Sequence, residues 1–248
     1  MKNTKAIFFK QFQSLLRNPG MIVQAVLFLI LVIIMNFLIG GYEVTDCESC
    51  IPAYVCTQCL EEDANVSTPD PSLVGLFTVM FVGFAIVGSA AALVIEDKTT
   101  QNLRFMTMAG IKPFQYLLGT IPAIFIIVFV VVVLFSLVGR YFGADMVRFV
   151  SVTSAGALVS TLLGVALGLS KGPTLATPLG IVLGLGPMLS TFNETLARYL
   201  RFTYTQQINL AVSDLSQDIS SNFLIIGING LVVLLIFVWM HRKGELRW

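Results

Sequence analysis

The sequence is poor in charge and nearly empty of the residues from which catalytic sites are built. Only 12% of its 248 residues are Asp, Glu, Lys or Arg, about half the share found in water-soluble domains. One histidine, His241, and four cysteines leave little material for metal or triad chemistry. A membrane enzyme would need paired carboxylates beside a His or Ser at the membrane surface, and no such cluster is visible. No G-x-x-x-x-G-K-[ST] string occurs. The nearest, Gly168-Leu169-Ser170-Lys171-Gly172, lacks the first glycine at the required spacing and reads as a tight turn. Lysines and arginines are scattered singly, so the electrostatic footprint of a nucleic-acid binder is absent. The confident apolar runs hold no ionisable residue, which disfavours a proton- or ion-coupled carrier with a titratable group at the midplane.

What fills the space is hydrophobic: 56% of residues, with a mean hydropathy of +0.86. Lipid must therefore be the solvent for most of the chain. Continuous apolar runs, rather than alternating ten-residue segments, exclude a β-barrel. The expected fold is an all-α integral membrane protein, a single transmembrane domain over 1–248. Six spans are expected at about 21–41, 72–95, 116–138, 146–169, 174–192 (interrupted by Pro178 and Pro187) and 223–240. Residues 1–17 are too polar for a signal-peptide core, so the first run is expected to be a retained anchor. With the amino terminus inside, eleven of the fifteen Lys and Arg fall on inner segments and four, Arg140, Arg148, Arg198 and Arg201, on outer ones. The positive-inside bias thus predicts a multi-pass protein of the cell membrane with both termini cytoplasmic.

Four pieces lie outside the spans. Residues 5–18 place Phe8, Phe12, Leu15 and Leu16 at helical spacing opposite Lys5, Lys10, Gln13 and Arg17. This predicts an amphipathic helix in the inner interface, ended by Asn18-Pro19-Gly20. Residues 193–222 carry Leu196, Leu200, Ile208 and Val212 at near-helical spacing and read as one or two short outer helices. The acidic outer loop 42–71 holds Cys47, Cys50, Cys56 and Cys59, two C-x-x-C pairs five residues apart. Two such pairs suit zinc in a reducing compartment. Outside the cell thiols oxidise, and the gap is short for a zinc ribbon, which favours two disulfides. Of three connectivities, the nested Cys47–Cys59 and Cys50–Cys56 suits Pro52 at the tip, and no metal is then expected.

The fourth piece, 96–115, is the most informative. Glu96-Asp97-Lys98-Thr99-Thr100 brings charge abruptly after the second span. Leu103, Phe105, Met106 and Met108 form an apolar cluster, and Gly110 to Pro113 break the chain before the third span. Apolar knobs ringed by charge suit a cytosolic partner as well as a loop resting on headgroups. In Glu96, Thr99, Thr100, Leu103, Arg104, Phe105, Gly110 and Leu117-Leu118-Gly119 the segment resembles the loop after the second helix of ABC type-2 exporter permeases. Gln101-Asn102 stands where that family commonly has Gly-Thr. The layout of amphipathic helix, six spans and outer helices resembles the family over nearly the whole chain.

The resemblance implies a coupling helix that docks in a groove of a separate ATP-binding subunit, through Glu96, Lys98, Arg104, Phe105 and Met106. Glu96 has the alternative role of capping that helix's positive amino end. It also implies a transport subunit rather than an enzyme, with ATP and magnesium bound by the partner chain and no cofactor of its own. Half a pore at 248 residues implies a second permease subunit, identical or sister. Gln24, Asn36 and Asn229 are the notable polar groups within spans. They are candidates for a substrate path, although such residues more often bond between helices. Gly164-x-x-x-Gly168 and Gly180-x-x-x-Gly184 predict close helix packing. The expected function is export of an amphipathic or hydrophobic substrate such as a peptide, lipid or drug; a passive channel or ion-coupled carrier without an ATPase is the alternative.

Overall fold

The computed structural model describes residues 2–17, 19–39, 71–111, 113–170, 175–213 and 219–242. Among these residues the chain is almost entirely helical and contains no strand. The four cysteines, and with them the two expected bridges, lie outside the described residues, as does the side chain of Asn36. The helices are α1 (Lys2–Arg17), α2 (Pro19–Ile39), α3 (Pro71–Met80), α4 (Val87–Thr99), α5 (Asn102–Met108) and α6 (Pro113–Val138). They continue with α7 (Ala144–Leu169), α8 (Ala176–Phe192), α9 (Glu194–Leu200), α10 (Tyr204–Ser213) and α11 (Ile219–Arg242). A π-helical segment, Phe81–Ile86, joins α3 to α4 in one continuous rod.

Four helical stretches are long and apolar enough to cross a bilayer: Val74–Thr99, Phe114–Val138, Ala144–Leu169 and Ile219–Met240. Thr4–Arg17 and Ile22–Ile34 meet at 56° and add a fifth crossing if the bent pair is one span. Ala176–Ser190 is apolar but shorter. At about 1.5 Å per residue the 17 residues of α8 reach roughly 25 Å, short of a hydrocarbon core of about 30 Å. Six spans were expected, and the described residues hold four or five candidates by length and composition. Pro178 and Pro187 do not interrupt α8. Pro178 sits in its first turn, where a missing N–H costs nothing, and the helix runs on through Pro187.

The rod of α3, π segment and α4 packs against α7 on one side and α8 on another, while α6 lies between α7 and α1. Glycines set these distances. A Cβ on Gly164 would stand 2.6 Å from the Val87 carbonyl oxygen, and one on Gly168 2.8 Å from the Val94 Cβ. Gly184 faces Phe84 and Met80, and a Cβ on Gly83 would meet the Gly184 nitrogen at 2.6 Å. Both expected small-residue stripes are therefore used, one on α4 and one on the π segment. Without a hydrophobic drive between helices in lipid, such backbone approach is what lets van der Waals contact hold them. Phe28, Phe81 and Phe135 form an aromatic line from α2 through the π segment to α6, with centroid separations of 6.1 and 5.5 Å. α2 and α11 lie at the periphery and expose rows of Val, Leu and Ile.

Two expectations change. The helix at the amino end buries Ile7, Gln11 and Leu15 against α6, with Phe8 and Phe12 alongside, while Leu16 is exposed. Its inner stripe is thus turned from the expected Phe8–Phe12–Leu15–Leu16 face, because Gln11 has polar partners inside. Residues 96–99 are the last turn of α4 rather than the start of a loop. α10, at the end opposite α5, is inserted among α3, α7, α8 and α11, burying Tyr204, Gln206, Gln207, Ile208 and Val212. The Ser160 hydroxyl donates to the Tyr204 hydroxyl oxygen at 2.8 Å, and the Ser190 hydroxyl donates to the Gln206 amide oxygen Oε1 at 3.0 Å. These side-chain bonds let a helix rich in glutamine sit inside the bundle.

Candidate coupling site at the α5 end

The bundle has two ends, one bearing α5 and the α1 amino half, the other α9 and α10. At the α5 end α4 stops for a local reason. The Thr99 and Thr100 hydroxyls donate back to the Glu96 carbonyl at 3.0 and 2.7 Å. Gln101 then enters the left-handed region at φ +57°. Left-handed backbone is where a glycine is free and a side chain is strained. The position where the resembled family has Gly thus keeps the glycine conformation with a glutamine. Its carbonyl accepts from the Arg104 and Phe105 amides and starts α5. α5 ends at Gly110, φ +74°, with the Ile111 amide bonded to the Met106 carbonyl at 3.0 Å. That bond is the terminal Schellman closure, and Met106 and Ile111 meet beside it as the motif favours.

Asp97 is the centre of the site, buried at the foot of α4. Lys10 Nζ from α1 lies 2.9 Å from Oδ1, and the Tyr116 hydroxyl from α6 donates to Oδ2 at 2.9 Å. Gln11 Nε2 also donates to Oδ2, and Asn102 Nδ2 from α5 reaches Oδ1 at 3.3 Å. Four side chains from three helices, α1, α5 and α6, thus converge on one carboxylate of α4. This satisfies the rule that a buried charge must be paired and hydrogen-bonded. The next residue, Lys98, turns the other way. Its ammonium reaches the carbonyls of Gly168, Leu169 and Ser170 at 3.4, 3.1 and 2.9 Å. A cation there meets the unpaired carbonyls and negative dipole end of α7.

The sequence-predicted residues divide around this layer. Leu103 is fully buried and holds α5 to the bundle, whereas Phe105 and Met108 are 63% and 66% exposed. Arg104 is exposed beside them, and Glu96 lies exposed on the last turn of α4. Met106 is half-buried and lines a groove of about 270 Å³ with Ala6, Ile7, Lys10, Ala109 and Ile111. Gln24 and Asn229, candidates for a substrate path, bond within the chain: the Ser89 hydroxyl donates to Gln24 Oε1 at 3.1 Å. Asn229 Nδ2 donates to the Phe202 carbonyl at 2.8 Å. The two have different partners and are not brought together.

Asp97 was missed by sequence reasoning, though a periodicity pointed to it. Ile86, Ala90, Leu93 and Val94 are buried on the same rod, and a residue three or four positions further along falls on the same face. Met108 was likewise recognised as part of the apolar cluster but not as its most exposed member. Asn193 caps α9: its side chain accepts from the Thr195 and Leu196 amides at 3.0 and 3.3 Å.

A bundle of long apolar helices with an ordered ionic layer at one end and a short amphipathic helix presented beyond it is a multi-pass membrane protein. The family model described as ABC-2 type transporter matches residues 2–189, so the chain belongs to that family and is a transmembrane component of such a transporter. No curated protein and no solved structure matches the chain.

Proposed function

We propose that this chain is the permease subunit of an ATP-driven exporter and that α5 is its coupling helix, seated in a groove of a separate ATP-binding-cassette subunit. The carrying observation is the way α5 is held. Leu103 and the Asp97 layer fix it to the bundle while Arg104, Phe105 and Met108 stand in the open. Two large apolar side chains beside a cation on a rigid support have the character of a protein interface core.

On this reading the α5 end is cytoplasmic, as the lysine and arginine bias expects. The chain then crosses the membrane six times, with α2 and α8 as the first and fifth spans. ATP and magnesium bind in the partner, and two permease subunits complete the conduit. Closure of the partner moves α5 and, through it, the α2, α4 and α8 region. The cargo is amphipathic or hydrophobic, since the exposed helix faces are apolar.

The test is recovery of the chain from its native membranes in mild detergent, with identification of copurifying proteins and assay of vanadate-sensitive ATP hydrolysis. A stoichiometric ATP-binding subunit that is lost on Phe105→Asp or Met108→Asp supports the reading. A chain that emerges alone, stable and without hydrolysis refutes it and favours a channel.

A further inference from the structure

Presenting Phe105 and Met108 does not require the ionic layer to be shared as it is. Asp97 and Lys98 are consecutive on a helix, so their side chains leave it roughly 100° apart, and each is bonded to a different part of the bundle. Asp97 takes donors from α1 (Lys10, Gln11) and α6 (Tyr116), and Asn102 of α5 reaches the same carboxylate. Lys98 takes the carbonyls at the end of α7. Apolar contacts slide, but a charged hydrogen bond in a low-dielectric setting resists being pulled as well as pushed. An ion pair with one partner 40% exposed, as Lys10 is, also adds little net stability. Position rather than stability is what such a pair secures here.

We infer that Asp97 and Lys98 form a two-way joint. Asp97 fastens the α4–α5 corner to α1 and α6, and Lys98 fastens it to the end of α7, so a displacement of α5 is divided between the two sides of the bundle. Both are positioning residues. The use of the joint rests on the reading of α5 as the docking helix; the linkage itself does not.

The experiment is distance measurement by spin labelling in lipid nanodiscs, on a chain whose four cysteines are changed to Ser. Labels go to exposed sites on α1 (Phe9), after α5 (Ala109) and before α8 (Leu175). Natively, the 9–109 and 109–175 distances should each give one narrow peak. Asp97→Asn should lose the narrow 9–109 peak and keep the 109–175 peak, and Lys10→Met should do the same. Lys98→Met should give the reverse. A general loss of packing broadens both distances in every variant; that outcome, or narrow peaks throughout, overturns the joint. These measurements need no ATPase, so they decide the joint even if none copurifies. In an ATPase-bound complex trapped with ADP and vanadate, the α1 label should follow α5 in the native chain and no longer do so in Asp97→Asn. Native movement of α1 in that variant would equally refute the proposal.

Discussion

Gly83 is the point at which the packing is most sharply testable. It lies in the π segment, where the rod crosses α8, and a Cβ there would stand 2.6, 2.7 and 2.8 Å from the Gly184 N, the Gly184 Cα and the Leu183 carbonyl carbon. All three are backbone atoms, so no rotamer change relieves them. To restore an ordinary contact of 3.4 Å the two backbones must part by roughly 0.6–0.8 Å, which forfeits a quarter or more of the dispersion energy along the crossing. Overpacking of this kind costs about 1–3 kcal/mol. Gly88 is the control on the same rod, because a Cβ there meets nothing within 4 Å. Gly88→Ala should instead gain about 0.5–1 kcal/mol from the lower entropy of alanine in a helix. Thermal unfolding of the detergent-solubilised chain, followed by loss of the monodisperse peak, should place Gly83→Ala roughly 2–12 °C below the native protein. Gly184→Ala, whose Cβ would meet Phe84 Cβ at 3.1 Å and Met80 O at 3.2 Å, should fall between the two. If Gly83→Ala and Gly88→Ala unfold together, the close crossing of the π segment with α8 is wrong.

Other substitutions test other links. Gln101→Gly should stabilise the chain by about 1 kcal/mol, read as a raised melting temperature, because it removes a side chain from left-handed backbone; a loss would deny the strain. Asn229→Ala frees the Phe202 carbonyl and should cost about 0.6 kcal/mol, a typical value for a bond between membrane helices. Increased amide exchange in residues 201–204 would report the same release. Asn193→Ala removes the α9 cap and should cost about 1 kcal/mol, visible as faster exchange at Thr195 and Leu196. Burial pushes the Tyr204 hydroxyl above its ordinary value of 10.0. The folded protein therefore keeps this group neutral while the unfolded chain ionises it. The resulting stability is complete below about pH 10 and falls as pH rises beyond it, and Tyr204→Phe should flatten that fall in alkaline melting curves.

Low charge and long apolar runs were enough to show a helical membrane protein, because lipid leaves a chain no other way to satisfy its backbone than helices or a closed barrel. The small-residue stripes at Gly164, Gly168, Gly180 and Gly184 were legible for a related reason: helices that approach closely in lipid need residues without bulk. The segment 96–115 carried its family resemblance openly, since its charges, threonines and apolar cluster are local features.

Tertiary structure decided what depends on partners distant in sequence. Asp97 is a hub only because α1 brings Lys10 and Gln11, 87 and 86 residues away, against the foot of α4. Without that contact its position beside Glu96 and Lys98 is one more charge at a helix end. The π segment, the insertion of α10 and the half-burial of Met106 beside exposed Met108 have the same origin. A period along one helix shows that it has an inner face, but which neighbour that face meets is set by the packing of the whole bundle.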